Sequence, residues 1–196
     1  MIGTKRESKK MGDMKDLHMK DLHMKDLSKY SEWLDEDILS IFTKIAEYLI
    51  EKHSFYDVTL RHKKLNEKES FDYEVKIRTH GLDVSKVPST LQKNRIIEDA
   101  GIAMGLLFTQ LLRPFKFFNV LKIGEGYDYF YISDDNNEEE KLEMTATEVP
   151  NEGTNRLNSK IRKFSDKFPG SSGYISVSCF PDRLQIYWGH KNDESG

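Results

Sequence analysis

The sequence predicts an α/β fold: one mixed β-sheet flanked by helices. Three observations carry this. Apolar residues recur at steps of three and four in three long segments, which is the helical period. Between them lie short runs with period-two alternation, such as Phe71, Tyr73, Val75 and Ile77 set against Asp72, Glu74, Lys76 and Arg78. From residue 89 onward the elements read helix, three strands, helix, two strands. Three successive strands suit an antiparallel meander, whereas the strand–helix–strand step after them needs a right-handed crossover, so the sheet should be mixed.

The chain has 196 residues, enough for one or two small domains. Residues 1–30 read as a low-complexity arm in which MKDLH, MKDLH and MKDLS follow one another from Met14 to Ser28. A step of five advances about 140° around a helix, so Leu17, Leu22 and Leu27 form no single stripe. The arm is therefore expected to be disordered or loosely docked, and the recurring His18 and His23 by themselves make no metal site. Residues 31–88 read as an extension of one helix and a β-hairpin. The helix should run from about Ser31 to His53, with Leu34, Ile38, Ile41, Ile45, Tyr48 and Leu49 as its apolar face and Asp35, Glu36 and Asp37 at its positive end. Two strands, about Asp57–His62 and Phe71–Thr79, follow.

Residues 89–190 form the predicted α/β core. Ser89 and Gln92 suggest a capping box for its first helix, which Arg113-Pro114 should end. Ala100, Gly101, Ala103 and Gly105 leave that helix room to lie close to a sheet. Strands are expected near Lys116–Ile123, Tyr127–Ser133 and Lys141–Glu148. The next helix, about Thr154–Phe168, has Leu157, Ile161, Phe164 and Phe168 inward. Arg156, Lys160, Lys163 and Lys167 share that spacing one residue out of phase, which makes a basic stripe about 100° away. Strands near Tyr174–Phe180 and Leu184–Gly189 close the core, and residues 191–196 are tail. Tyr174, Phe180 and Trp188 read either as core or as a contact patch.

Composition narrows the function. Hydrophobic residues are 37% and charged residues 32% of the chain, with a formal net charge of −3. That balance argues against an extensive phosphate-gripping surface, though not against a local basic patch. The single cysteine, Cys179, allows no intrachain disulfide and reads as a buried, inert thiol. No apolar run approaches the ~20 residues that span a bilayer, so the expected compartment is cytoplasmic, with no membrane partner. There is no Walker loop, zinc-ligand spacing or Ser-His-Asp pattern.

The stretch with most chemical content is Ile123–Glu148. Asp128 sits in the second core strand between two tyrosines, where a carboxylate needs solvent, a partner or a metal. Glu143 sits in the third, and Glu98 lies on the preceding helix. The acidic turn Asp134–Glu140 lacks the glycine that bends a calcium loop and reads as solvated. The αβββαβ order, with Asp128, Glu143 and Glu98 in these places, resembles the PD-(D/E)XK, or restriction-endonuclease-like, superfamily over about residues 89–189. The resemblance implies a Mg²⁺ site formed by Glu98, Asp128 and Glu143. It also implies a lysine two residues after the glutamate, where this chain has Thr145. Threonine cannot stabilise charge developing on a phosphate, and losing such a group typically costs about 10²–10³ in rate.

Three functions remain open on these residues. The first is a non-catalytic nuclease-like protein, with no cofactor, that works by protein–protein interaction. Its partner could be encoded nearby, as in a subunit of a prokaryotic anti-phage defence or toxin-like system. The second is an active Mg²⁺-dependent nuclease using Asp128 and Glu143, with Lys160 on the following helix supplying the missing cation. The third is a non-catalytic nucleic-acid binder using Arg156, Lys160, Lys163 and Lys167.

Overall fold

The computed structural model describes residues 20–113, 115–120, 129–134 and 137–191. A short strand β1 (Lys20–His23) leads into a 3-10 helix (Met24–Glu32) and then α1 (Glu36–His53). Strands β2 (Asp57–Lys63) and β3 (Phe71–Arg78) follow, then a single helical turn α2 (Val87–Thr90) and α3 (Lys93–Leu112). The remaining elements are β4 (Phe115–Val120), β5 (Tyr129–Ser133), β6 (Glu139–Thr147), α4 (Gly153–Lys167), β7 (Ser172–Cys179) and β8 (Leu184–Lys191).

All eight strands join one mixed sheet in the order β1-β3-β2-β8-β7-β6-β5-β4. The meander β4-β5-β6 is antiparallel and β6 pairs parallel with β7 across α4, as the element order predicts. Strand β2 pairs parallel with β8, so the segment 31–88 continues the sheet of the core rather than standing apart from it.

Helices cover both faces of this sheet. On one face lie α1, α3 and the 3-10 helix, over the larger core built from Leu39, Phe42, Leu49, Val58, Leu60, Ala100, Met104 and Tyr187 among others. On the other face α4 buries Leu157 and Phe164 against Ile175, Val177, Cys179 and Ile186. Gly101 is required by the close approach of α3 to β6: a Cβ there would stand 2.8 Å from the Thr145 carbonyl carbon and 2.9 Å from the Ala146 nitrogen.

Four expectations are corrected. Residues 20–30 are not a loose arm: Met24, Leu27 and Tyr30 are almost fully buried, and the Tyr30 hydroxyl donates to the Leu106 carbonyl at 2.8 Å. Leu22 enters as a strand residue opposite Ile77 and Leu27 as a 3-10 residue, so burial of both needs no common helical stripe. In α1 the buried face is rotated. Leu34, Ile45 and Leu49 of the expected face are buried, but Ile38 and Ile41 are exposed, and Leu39, Phe42, Ala46 and Ile50 pack inward instead, because the helix carries two apolar rows. Asp35 caps this helix, accepting from Asp37 N at 2.9 Å and Ile38 N at 3.3 Å. Ser89 caps nothing: Pro88 opens the separate turn α2, and α3 starts at Lys93 after Gln92, whose side chain makes no cap hydrogen bond. The contact-patch alternative falls for Tyr174 and Phe180, which are buried in the core, while Trp188 is half-buried.

Candidate functional site

The alternation of β6 decides where its acids go. Leu142, Met144 and Ala146 face α3, so Glu143 and Thr145 face α4. Steps of four and three along α4 turn Leu157 and Phe164 into the sheet and leave Lys160 one flank away, above β6. Lys160 reaches back, and its Nζ pairs directly with Glu143 Oε1, with side chains only 25% and 13% exposed. The two residues are 17 apart in sequence, and the structure brings them together.

The remaining predicted residues do not join them. Asp128 lies outside the described residues. Glu98 is exposed on α3, the layer opposite Glu143. Among the described residues, no three His, Cys, Asp or Glu side chains gather to hold a metal ion. Glu143 with an ammonium in contact does not fit Mg²⁺, which needs near-octahedral oxygen ligation. The basic stripe is also broken. Arg156, Lys163 and Lys167 remain exposed, but Lys160 is turned inward onto Glu143 and is engaged there.

A second polar cluster, on the α3 face, was not anticipated. Glu140 belongs to the acidic stretch expected to be solvated, yet it is 1% exposed. It shares the inward parity of Leu142 and Met144, which was the signal available in the sequence. Arg113, the residue that ends α3, donates to it from Nη2 at 2.6 Å and from Nε at 3.3 Å. The Tyr131 hydroxyl donates to Glu140 Oε2 at 2.6 Å, and the Arg113 guanidinium lies 5.4 Å from the Tyr174 ring. Tyr174 stacks on Tyr187, whose hydroxyl bonds Thr109 at 2.9 Å.

Burial pushes the Tyr174 phenol up to about 12 and holds Tyr131 well above the usual phenol range, so both remain protonated. His62 packs edge-on against Tyr187, with neither ring nitrogen hydrogen-bonded. Its burial, reinforced by Lys64 and Arg113, pushes it down to about 4. A cavity of about 320 Å³ opens beside Arg113, Glu140 and Tyr174. Each carboxylate oxygen of Glu140 already has a donor, so the cluster ties the end of α3 to β5 and β6.

A third arrangement involves Glu47, which is completely buried within the inward side of α1. An acid on that side was the only sequence sign of it. Its carboxylate accepts from the backbone of His80 and Leu82 and from the His80 ring.

No family model, curated protein or solved structure matches this chain. What the coordinates establish is an α/β protein whose mixed eight-stranded sheet is flanked by helices. Among the described residues, no helix is long and apolar enough to cross a membrane.

Proposed function

We propose that the chain is a diverged restriction-endonuclease-like protein that no longer cleaves and acts by holding a protein partner. The observation that carries this reading is the pairing of Glu143 with Lys160 at low exposure. A carboxylate already neutralised by an ammonium, and largely closed to solvent, offers little to a divalent cation that must collect several oxygens. Thr145 stands where the superfamily pattern has its lysine and brings no charge to a reacting phosphate. The order α3-β4-β5-β6-α4-β7 agrees with the αβββαβ pattern, which supports the ancestry. The added strands β1, β3 and β2 and the docked 3-10 helix enlarge the molecule beyond such a core and give a partner more surface. A role as a subunit of a prokaryotic anti-phage defence or toxin-like system follows from family analogy alone.

The same contact favours one second reading. A lysine moved from the strand to the following helix should lie against the site glutamate, and Lys160 does. With Asp128 as a further ligand, the chain would be a Mg²⁺-dependent nuclease. The deciding experiment incubates the full chain with Mg²⁺ or Mn²⁺ and plasmid, single-stranded DNA or RNA. It is paired with co-expression of neighbouring gene products. The expected result is no cleavage and a stable stoichiometric complex. Metal-dependent cleavage abolished by both Asp128→Ala and Lys160→Ala would overturn the first reading in favour of the second.

A further inference from the structure

The last MKDLS repeat builds one wall of a cavity. Met24, Ser28 and Ser31 of the 3-10 helix face Leu39 and Ser40 of α1 across a space of about 470 Å³, and His80 and Leu82 close its third side. That volume lies in the range of small-molecule sites, which are usually apolar clefts with a few placed polar groups. Met24, Leu39 and Leu82 supply apolar wall and the serines supply hydroxyls. The charged groups, Lys25 and Glu36, are of opposite sign, so the cavity favours neither a cation nor an anion.

The orientation of His80 makes this more than a crevice. Gly81, at φ 71°, takes the left-handed conformation that turns the loop so that two of its amides point the same way. Both reach Glu47: His80 N donates to Oε1 at 2.6 Å and Leu82 N to Oε2 at 3.0 Å. Glu47 Oε1 also lies 3.1 Å from His80 Nδ1. With Glu47 as the acceptor of this contact, as it is of the two amides, Nδ1 carries the proton. In the neutral ring Nε2 is then an acceptor, on the side away from Glu47. Among the described residues it has no hydrogen-bond partner, and the ring lines the cavity. Clamping the loop needs only the two backbone amides. The third bond fixes the imidazole, as partner groups fix histidines in working sites.

We propose that this cavity binds a neutral, hydroxylated small molecule with one apolar face, of the size of a nucleoside or a hexose, whose hydroxyl donates to His80 Nε2. This proposal is independent of the Glu143–Lys160 site. The test titrates the full chain with adenosine, uridine and glucose by calorimetry, the nucleosides and the sugar separating the two sources of that chemistry. Three variants accompany it. His80→Ala keeps both backbone bonds to Glu47 and should weaken binding about tenfold, the worth of one good hydrogen bond. Ser40→Phe, at an exposed helix position, should fill the space and abolish binding. His80→Gln, which can again accept, should recover part of the loss. Thermal unfolding of each variant checks that the fold is kept. Binding by none of the three probes overturns the proposed ligand class, and binding that survives His80→Ala overturns the assignment of His80.

Discussion

Substituting Gly101 with alanine sets two opposing effects against each other, and the structure decides the sign. Alanine in a helix interior is better than glycine by about 1 kcal/mol, because glycine loses more backbone freedom on folding. At Gly101 the new Cβ would stand 2.8 Å from the Thr145 carbonyl carbon, 2.9 Å from the Ala146 nitrogen and 3.0 Å from the Ala146 Cβ. These are mostly backbone atoms of β6, a strand held on both sides by β5 and β7, so they cannot yield locally. Overpacking costs about 1–3 kcal/mol, and a clash this close with backbone atoms lies at the upper end, which leaves Gly101→Ala destabilised by roughly 2 kcal/mol.

Gly105 is the control. A Cβ there meets the side chain of Met144 at Sδ and Cγ. Methionine is flexible and repacks, so the clash and the helix gain should nearly cancel in Gly105→Ala. Urea unfolding of the parent and both variants, with similar m-values, reads the difference directly. Gly101→Ala as stable as the parent, or more stable than Gly105→Ala, would refute the claim that close helix–strand approach sets this interface.

Three further outcomes follow from buried groups. His62 is pushed down to about 4, so the unfolded chain binds the extra proton first. The stability held by the neutral ring is complete above the ordinary histidine range and falls as pH descends through it, by about 2 kcal/mol at pH 5. His62→Phe should flatten that part of a pH–stability curve, and an unchanged slope would contradict it. Glu140→Gln takes the buried carboxylate away from the mostly buried Arg113 and should cost about 3–5 kcal/mol in denaturant unfolding. A loss under 1 kcal/mol would mean that solvent reaches Arg113 far more than its side-chain exposure of 12% allows. Cys179 is buried, with its thiol pushed up to about 12 by that burial, so a maleimide should label it only on unfolding. Rapid labelling of the native chain at neutral pH would contradict its place in the α4 core.

Local pattern carried most of the fold. The strands from Asp57 to Gly189 were readable because β-branched and aromatic residues alternate there between turn residues. Helix α4 was readable because Leu157, Ile161, Phe164 and Phe168 keep one face over about three turns. The errors fall where a local signal had two solutions. Helix α1 carries two apolar rows, and only its packing against α3 and the 3-10 helix selects Leu39 and Phe42 over Ile38 and Ile41. The repeat at 14–28 has no helical stripe, yet Leu22 and Leu27 are buried through strand pairing and a 3-10 turn, which period-five spacing does not reveal.

Side-chain pairing was less accessible than backbone pattern. The sequence pointed to Glu143 and to a lysine on the next helix, and those two do meet. It did not reveal that Glu140 would turn inward to Arg113, or that Glu47 would bond a loop 33 residues away.

Taken alone, the sequence determined the types and order of the elements from α1 onward, the short turn α2 excepted, and the mixed character of the sheet, because these depend on periodicity and turn chemistry within a few residues. The tertiary structure decided which polar groups are paired: Lys160 with Glu143, Arg113 with Glu140, and His80 with Glu47. Such contacts arise when distant strands and helices pack. A buried charge then takes whichever partner the fold brings within reach, and no spacing along the chain records that choice.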